Sequence, residues 1–424
     1  MRRWNGWGDE ATVVELPANG AAFLAGRIGA GQPLPDASLE QVLARVPASR
    51  LAAHPLISLD AETRVRHARG QSLPDWLAMR EGDFGQFPDG VAFPETPEQI
   101  RQLLALAAER DLVLIPYGGG TSVAGHINPQ AGERPVLTLS LAHMNRLLEL
   151  DEDSLIATFG PGASGPQVES QLRARGYTLG HFPQSWELST LGGWVASRSS
   201  GQQSLRYGRI EQLFAGGTLE TFAGPMELPT FPASAAGPDL RELVLGSEGR
   251  FGVISEVRVR VSRLAEQESF YAVFLPSWEQ ALSGIRHLAQ ARVPLSMLRL
   301  SNAIETETQL ALAGHPGQIA LLEKYLALRG AGGWQVHADL RRHRQPDAER
   351  RLAETGQAPA EGLRWRVHRH LAGQEVGAQP LPLPLPAPRL VERRLRGGHP
   401  GNRHRLGQCR QPAGQDRGQS AQRS

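Results

Sequence analysis

Three stretches of this 424-residue chain concentrate glycine with small hydroxyl residues, and each lies beside a strand-like or helix-like run. The first is Pro116-Tyr117-Gly118-Gly119-Gly120-Thr121-Ser122. Three glycines in a row leave backbone N–H groups uncovered, the means by which a loop cradles a diphosphate, and Thr121 and Ser122 add hydroxyls. A tight turn from strand to loop would use the same residues. The second runs from Gly180-His181-Phe182-Pro183-Gln184-Ser185 through Ser189-Thr190-Leu191-Gly192-Gly193-Trp194 to Ser197-Arg198-Ser199-Ser200-Gly201. Its paired glycines let a flat ring approach the backbone. The third is Gly246-Ser247-Glu248-Gly249-Arg250-Phe251-Gly252-Val253-Ile254. No Gly-Lys-Ser/Thr follows any of them, so none is a Walker A loop. None is a GxGxxG with an acidic residue about twenty positions on, which disfavours a Rossmann NAD site.

The elements that must position these loops can be read from periodicity. Helix starts are signalled at Ser38, Asp60 and Ser72, and Thr96-Pro97-Glu98-Gln99 caps a helix through Ala108 with Ile100, Leu103, Leu104 and Ala107 on one face. Leu112–Pro116 reads as a buried strand, Val136–Leu139 and Leu155–Phe159 as further strands, and Gln167–Arg175 as a helix ended by Gly176. From Val253 to Val261, the positions Val253, Ser255, Val257, Val259 and Val261 alternate with mostly charged neighbours, the pattern of a half-buried strand. A strand (270–275), a helix (278–291) and a strand (295–300) begin a new unit. Interleaving of this kind indicates an α+β or α/β chain of more than one domain.

Composition removes several classes. Apolar residues make up 40%, and no run approaches the ~18 uninterrupted apolar residues of a membrane span. A single cysteine, Cys409, excludes a disulfide scaffold or a cysteine-based zinc cluster, and no metal site is expected. The N-terminus lacks the apolar core of a secretory signal, which leads to an expectation of a cytoplasmic protein. The net charge of +2 averages two unlike pieces. Residues 1–334 hold 28 Lys+Arg against 35 Asp+Glu, and residues 335–424 hold 17 against 8. The acidic first piece gives no footprint for nucleic acid. The last 90 residues contain no Ile, Phe, Tyr, Met or Lys, little with which to build a core.

The three stretches in this order resemble the flavin-binding domain of the vanillyl-alcohol oxidase (FAD-linked oxidase) family. More narrowly, Trp4-Asn5-Gly6-Trp7-Gly8, the Gly180–Val195 segment, Tyr207-Gly208-x-Ile210-Glu211 and Gly237-Pro238-Asp239 resemble its alkyldihydroxyacetonephosphate synthase (alkylglycerone-phosphate synthase) branch over roughly residues 1–330. The resemblance implies an N-terminal helical segment (1–87), a two-subdomain FAD-binding domain (88–264), and an incomplete α/β cap domain (265–334). A disordered basic tail (335–424) would follow. It implies FAD on Pro116, Gly118, Gly119, Gly120, Thr121 and Ser122. Gln184, Ser185, Thr190 and Gly193 would lie by the flavin ring, with Ser197, Arg198, Ser199, Ser200, Glu248, Gly249, Gly252, Val253 and Ile254 as further contacts. Some members attach FAD through a histidine in the first loop; glycines stand there in this chain, so noncovalent FAD is expected. Gln184 replaces an aspartate.

The implied reaction, without net redox change, exchanges the acyl group of acyl-dihydroxyacetone-phosphate for a fatty alcohol in ether-lipid synthesis. Arg299 matches a family arginine near the active site, and Thr190 is a second catalytic candidate. On residue type alone Arg299 is an ordinary strand-edge arginine, His181 a structural loop histidine, and Trp194 and Tyr207 packing residues. Lipid substrates suggest a peripheral membrane contact, and a homodimer is compatible with the sequence. The alternatives are a 2-hydroxy-acid dehydrogenase of the same family and a non-catalytic flavin-binding remnant.

Past residue 334 the family's catalytic tyrosine and histidine-rich loop have no counterpart, since no tyrosine follows Tyr325. One reading is a genuine basic tail with a polyproline-like Leu381–Pro386 that binds a partner. The other is a shifted reading frame. One lysine against 44 arginines indicates a GC-rich gene. Gln335–Leu340, read one base later, can encode Lys-Cys-Met-Leu-Thr-Phe, and Gln379–Pro386, with the same shift, Asn-Arg-Phe-Arg-Ser-Pro-Tyr-Leu. The common shift favours the frame error and an unfolded 335–424.

Overall fold

The structure, a computed structural model, describes residues 2–344 apart from 13–15, 30, 32–34, 233, 276, 313–315 and 329–335. It divides into two units: residues 1–15 with 28–266, and residues 16–27 with 267 onward. The mixed helix-and-sheet class agrees with the expectation. The 1–87 segment is not one piece, however, because residues 16–27 group with the second unit.

The first unit holds two larger sheets and a two-stranded one that pairs Tyr177–Thr178 with Ser262–Arg263. One contains the parallel strands Gly90–Ala92, Val136–Ser140 and Val113–Tyr117, with Ile57–Ser58 antiparallel at its edge. Helix Pro97–Glu109 makes the crossover between Gly90–Ala92 and Val113–Tyr117. Thr96 caps it by accepting from Gln99 N–H at 3.3 Å, and Ile100, Leu103, Leu104 and Ala107 are buried as their spacing predicts. Val113–Tyr117 is the outer strand and only half-buried before Tyr117, so the apolar run at 112–116 overstated its burial. Such runs suit an edge strand under partial cover as well as a central one.

The second sheet is antiparallel, ordered Leu147–Asp151, Ile156–Phe159, Val253–Arg260, Phe214–Thr221, Gly224–Leu228. Its core gathers Phe159, Leu172, Trp194, Phe214, Val257 and Val259 against helices Gly165–Arg173 and Leu191–Ser197. The alternation is realised from 255 to 261, with Val257 and Val259 buried while Glu256, Arg258 and Arg260 are half-exposed, but Val253, Ile254 and Ser255 are all buried. The inner strand Phe214–Thr221 has Gly216 and Gly217 in its middle, which hid it from a propensity reading. Those glycines are close-approach positions, since a Cβ on either would overlap a neighbouring strand's carbonyl.

The second unit is built on strands Gln267–Leu275, Val336–Arg344 and Met297–Ser301, in that order and antiparallel, with helix Trp278–Gln290. Helix Ala18–Ile28 groups here: Asn19 Nδ2 donates to the Ala311 carbonyl at 2.8 Å, and Arg27 pairs with Glu307. Val336–Arg344 corrects the expectation that order ends at 334. Sheet pairing is made by backbone groups, and Val336, Ala338 and Leu340 alternate with His337, Asp339 and Arg341, the two-residue period of a strand. Averaging composition over ninety residues concealed nine that pair. Leu381–Pro386 and Cys409 lie outside the described residues.

Candidate functional site

The first glycine stretch leaves strand Val113–Tyr117 and turns at Gly120, whose φ of 61° favours a residue without a side chain. Space is equally restrictive. A Cβ on Gly118 would overlap the Thr190 hydroxyl, one on Gly119 the Leu188 carbonyl, and one on Gly120 the Tyr117 hydroxyl. Among the described residues, no backbone N–H from Gly118 to Ser122 donates within the protein. The carbonyl side of the same loop is occupied. Gly119 and Gly120 accept from the Arg2 guanidinium, and Ser122 accepts from Gln71 N–H at 2.7 Å. A run of unpaired donors in a partly buried loop is matched by an anion such as a diphosphate.

The facing wall is helix Leu191–Ser197, capped by Thr190, whose Oγ1 accepts from Gly193 N–H at 3.4 Å. Leu191 N–H donates to the Ala163 carbonyl at 2.9 Å and Gly192 N–H to that of Pro161 at 2.8 Å. This helix start therefore has little left for an anion, and the phosphate donors are on the glycine loop. Thr190, expected to be catalytic, is buried and serves as the cap. Ser189 Oγ accepts from Trp194 Nε1 at 2.7 Å and donates to the Ser185 carbonyl at 2.8 Å, fixing the indole at the cleft floor.

Together these elements enclose a cleft of about 370 Å³. Of the residues singled out from sequence, Pro116, Gly118 to Ser122, Ser185, Thr190, Gly193, Ser197, Ser199, Glu248, Gly249, Gly252 and Ile254 line it. Gln184, Arg198, Ser200 and Val253 do not. Gln184 and Ser200 are exposed, and Arg198 pairs with Glu242 at 2.9 Å. Val253, on the alternating strand, packs in the core with Leu103 and Leu139. Arg299 belongs to the second unit, on strand Met297–Ser301, where its guanidinium bonds Glu305.

Sequence reading missed His126, Arg2 and Tyr117. His126 Nδ1 lies 3.1 Å from Ser122 Oγ and 3.4 Å from Glu248 Oε2, so it bridges the first and third glycine stretches. Its spacing four residues after Ser122, in the same loop, was the available signal. Glu248 holds φ 53°, a left-handed conformation that costs roughly 1–2 kcal/mol in a residue with a Cβ, and its N–H donates to the Ala196 carbonyl at 2.8 Å. His126, Glu248 and the Tyr117 phenol are the ionisable side chains on the cleft wall among the described residues.

His181, left as structural, is buried, and its Nε2 sits 2.8 Å from Ser199 Oγ on the cleft wall. Burial pushes its pKa down to about 4, so the ring is neutral at physiological pH and its Nδ1 has no partner. Trp194 packs edge-on against it, ring centres 5.1 Å apart. Tyr207 lies against Gly180, where a Cβ would overlap its ring. The packing reading of Trp194 and Tyr207 is thus the better one.

These residues fit FAD: free donors for the diphosphate, glycines at 192, 193, 249 and 252 for close approach of flat groups, and hydroxyls at Ser185, Ser197 and Ser199. Comparison with known proteins agrees. Residues 88–224 match the FAD binding domain family. The chain is 34% identical over 272 residues to alkyldihydroxyacetonephosphate synthase of Dictyostelium discoideum, covering 63% of this chain and 44% of that protein. A solved alkyldihydroxyacetonephosphate synthase superposes with a TM-score of 0.74 at 25% identity, covering 88% of this chain and 73% of the other. Glycolate oxidase subunit GlcD of Bacillus subtilis is 27% identical over 217 residues, covering 50% of this chain and 44% of that protein. The matched regions span 42 to 60% of the synthases' own length.

Proposed function

We propose that the chain is an alkyldihydroxyacetonephosphate synthase-like member of the vanillyl-alcohol oxidase (FAD-linked oxidase) family and that it makes ether lipids. In this reading it exchanges the acyl group of acyl-dihydroxyacetone-phosphate for a fatty alcohol. The ester bond breaks with the fatty acid leaving as carboxylate, the alcohol oxygen takes its place on the same carbon, and the alcohol proton is released. No electron acceptor is consumed. The observation that carries the reading is the 34% identity to a synthase over 272 residues, against 27% over 217 to the glycolate oxidase subunit.

When bound, FAD supplies a nucleophilic nitrogen without net change of oxidation state. The chain's own residues bind and orient. N–H groups of Gly118–Ser122 take the diphosphate, and the Ser122–His126–Glu248 bridge ties the loops around it. Neutral His181 holds Ser199 Oγ in a fixed rotamer at the wall, and His126 Nδ1 stands on the same wall 3.1 Å from Ser122 Oγ. Noncovalent FAD belongs to the same reading, since residues 118–122 include no histidine.

The test is purified protein reconstituted with FAD and given acyl-dihydroxyacetone-phosphate plus a fatty alcohol. Fatty acid release in step with ether formation, without an acceptor, supports the reading. Dye reduction by D-lactate or glycolate instead supports the dehydrogenase alternative. Tight FAD binding with neither turnover leaves a flavin-binding protein without catalysis. Flavin released by acid precipitation checks the noncovalent attachment.

A cytoplasmic location, peripheral contact with lipid and a homodimer complete the proposal, to be examined by fractionation, vesicle pelleting and sedimentation. No helix among the described residues is long and apolar enough to cross a membrane. We also propose that residues 335–424 are read in a shifted frame, as the common shift at Gln335–Leu340 and Gln379–Pro386 indicates; an undisturbed frame on resequencing the gene would overturn that.

A further inference from the structure

We propose that Arg2 is a positioning residue for the cofactor, holding the diphosphate loop in its binding conformation before FAD arrives. Its guanidinium spans two successive carbonyls of the triglycine, with Nη1 donating to Gly119 and Nη2 to Gly120, the latter at 3.3 Å. A planar fork of donors suits such a pair of acceptors better than a point charge does. In a trans peptide the carbonyl and the following N–H point in opposite directions. Fixing the carbonyls of Gly119 and Gly120 therefore turns the N–H groups of Gly120 and Thr121 to the side away from Arg2, and these are among the donors left unpaired in the protein. Glycines lose more conformational freedom on ordering than any other residue, so without a clamp this loop would spend much of its time in other conformations.

Arg2 is itself anchored. Its carbonyl accepts from Arg66 Nη1 at 2.5 Å, and Arg66 pairs with Glu62 at 2.6 Å and with Glu10 at 2.9 Å. The Trp4-Asn5-Gly6-Trp7-Gly8 turn is closed by Arg3 N–H donating to the Gly8 carbonyl at 2.9 Å and by a bridge between Arg2 and Asp9. Trp4 stacks near Phe84, ring centres 6.2 Å apart. The N-terminal turn so becomes a latch on a loop 117 residues away in sequence, with its charge behind the donors that meet an anion. The inference rests on the FAD site and not on the lipid reaction, so either can fail without the other.

The experiment titrates apoprotein with FAD and with riboflavin, which has no phosphate, following quenching of flavin fluorescence and the melting temperature of each apoprotein. If the competent loop is populated at 1–10% without the clamp, Arg2→Ala weakens FAD by about 10- to 100-fold. Riboflavin affinity should stay within about twofold, and Arg2→Lys, which can hold one carbonyl, should recover part of the loss. Arg3→Ala is the control, because Arg3 bonds Asp9 and Thr12 within the turn and does not touch the loop. Its FAD affinity should match that of the parent. An unchanged FAD affinity in Arg2→Ala, equal losses for both flavins, or an equal loss in Arg3→Ala would each overturn the proposal. Should Arg2→Ala fail to fold, Arg2→Lys carries the same comparison, and FAD affinity as tight as the parent's would overturn it.

Discussion

The cofactor unit and the second unit make their chemistry from different materials. In the first, the groups that meet a ligand are mainly backbone N–H donors and small hydroxyls, held between two sheets over a core that includes Phe159, Trp194 and Phe214. In the second, the one residue with an implied role is a side chain, Arg299, half-exposed and already paired with Glu305. The described core there consists of small clusters around Leu275 with Ala281 and Leu288 with Leu295. Apart from proline, which removes the N–H, substitution can only displace main-chain donors, so a site made of them tolerates sequence change except where a side chain would push the backbone. Sites made of side chains are lost one residue at a time.

The sharpest way to break that contrast is to displace the backbone. Gly119→Ala places a methyl against the Leu188 carbonyl, which is main chain and cannot rotate away. Overpacking of this kind costs about 1–3 kcal/mol. We expect purified Gly119→Ala to retain no flavin absorbance at 450 nm, with a clearly lowered melting temperature. Full flavin content in this variant would show that the loop is not the cradle.

Next in size is the support beneath the second stretch. Buried Glu169 accepts from Thr178 Oγ1 at 2.8 Å, Leu179 N–H at 3.0 Å and Gly180 N–H at 3.2 Å, fixing the backbone that leads into His181. Glu169→Ala leaves the Thr178 hydroxyl and Leu179 N–H buried and unpaired, at roughly 1–3 kcal/mol each before relaxation, while Gly180 N–H keeps Thr178 Oγ1 as acceptor at 3.1 Å. A net loss of about 3 kcal/mol in denaturant unfolding is expected, whereas under 1 kcal/mol would mean that packing alone positions the segment.

This difference in material also explains what could be read in advance. Caps at Ser38, Asp60, Ser72 and Thr96 and the alternation at 255–261 are local rules, and the structure follows them. The glycine stretches were visible because a crowded backbone excludes every other residue type. Arg2 was not, since nothing near residue 2 signals a loop at 119–120, and neither was Val336–Arg344, whose composition argues against a strand while its alternation favours one. Gln184, Arg198, Ser200 and Val253 were carried by neighbouring matches, although successive residues on a loop or strand face different ways.

A smaller effect comes from titration. With its pKa near 4 in the folded protein and about 6.5 when unfolded, His181 takes up a proton more readily in the unfolded chain. Its contribution is therefore constant above about pH 6.5 and is lost as pH falls from there toward 4, by up to roughly 3 kcal/mol. Urea unfolding at pH 7.5, 6 and 5 should show this slope together with that of His67, whose pKa burial likewise pushes down to about 4, and His181→Asn should reduce it. An equal slope in the variant would assign the pH dependence to other groups.

The smallest effect is expected in the second unit, and it tests the contrast from the other side. Arg299 and Glu305 are 40% and 38% exposed, so solvent screens their attraction and the pair contributes about 0–1 kcal/mol to stability. Glu305→Gln keeps the acceptor oxygen that Gln309 Nε2 approaches at 3.1 Å and leaves the Asn302 cap at Glu305 N–H undisturbed, while removing the charge on Arg299's partner. Melting temperature and FAD affinity should both stay close to the parent's. If Arg299 receives a substrate phosphate or carboxylate, a guanidinium released from its partner binds that anion more readily, and KM should fall about two- to fivefold, the equivalent of under 1 kcal/mol. A matching change in FAD affinity would mean that the two units share one side-chain network, and the division between a backbone-built and a side-chain-built site would have to be given up.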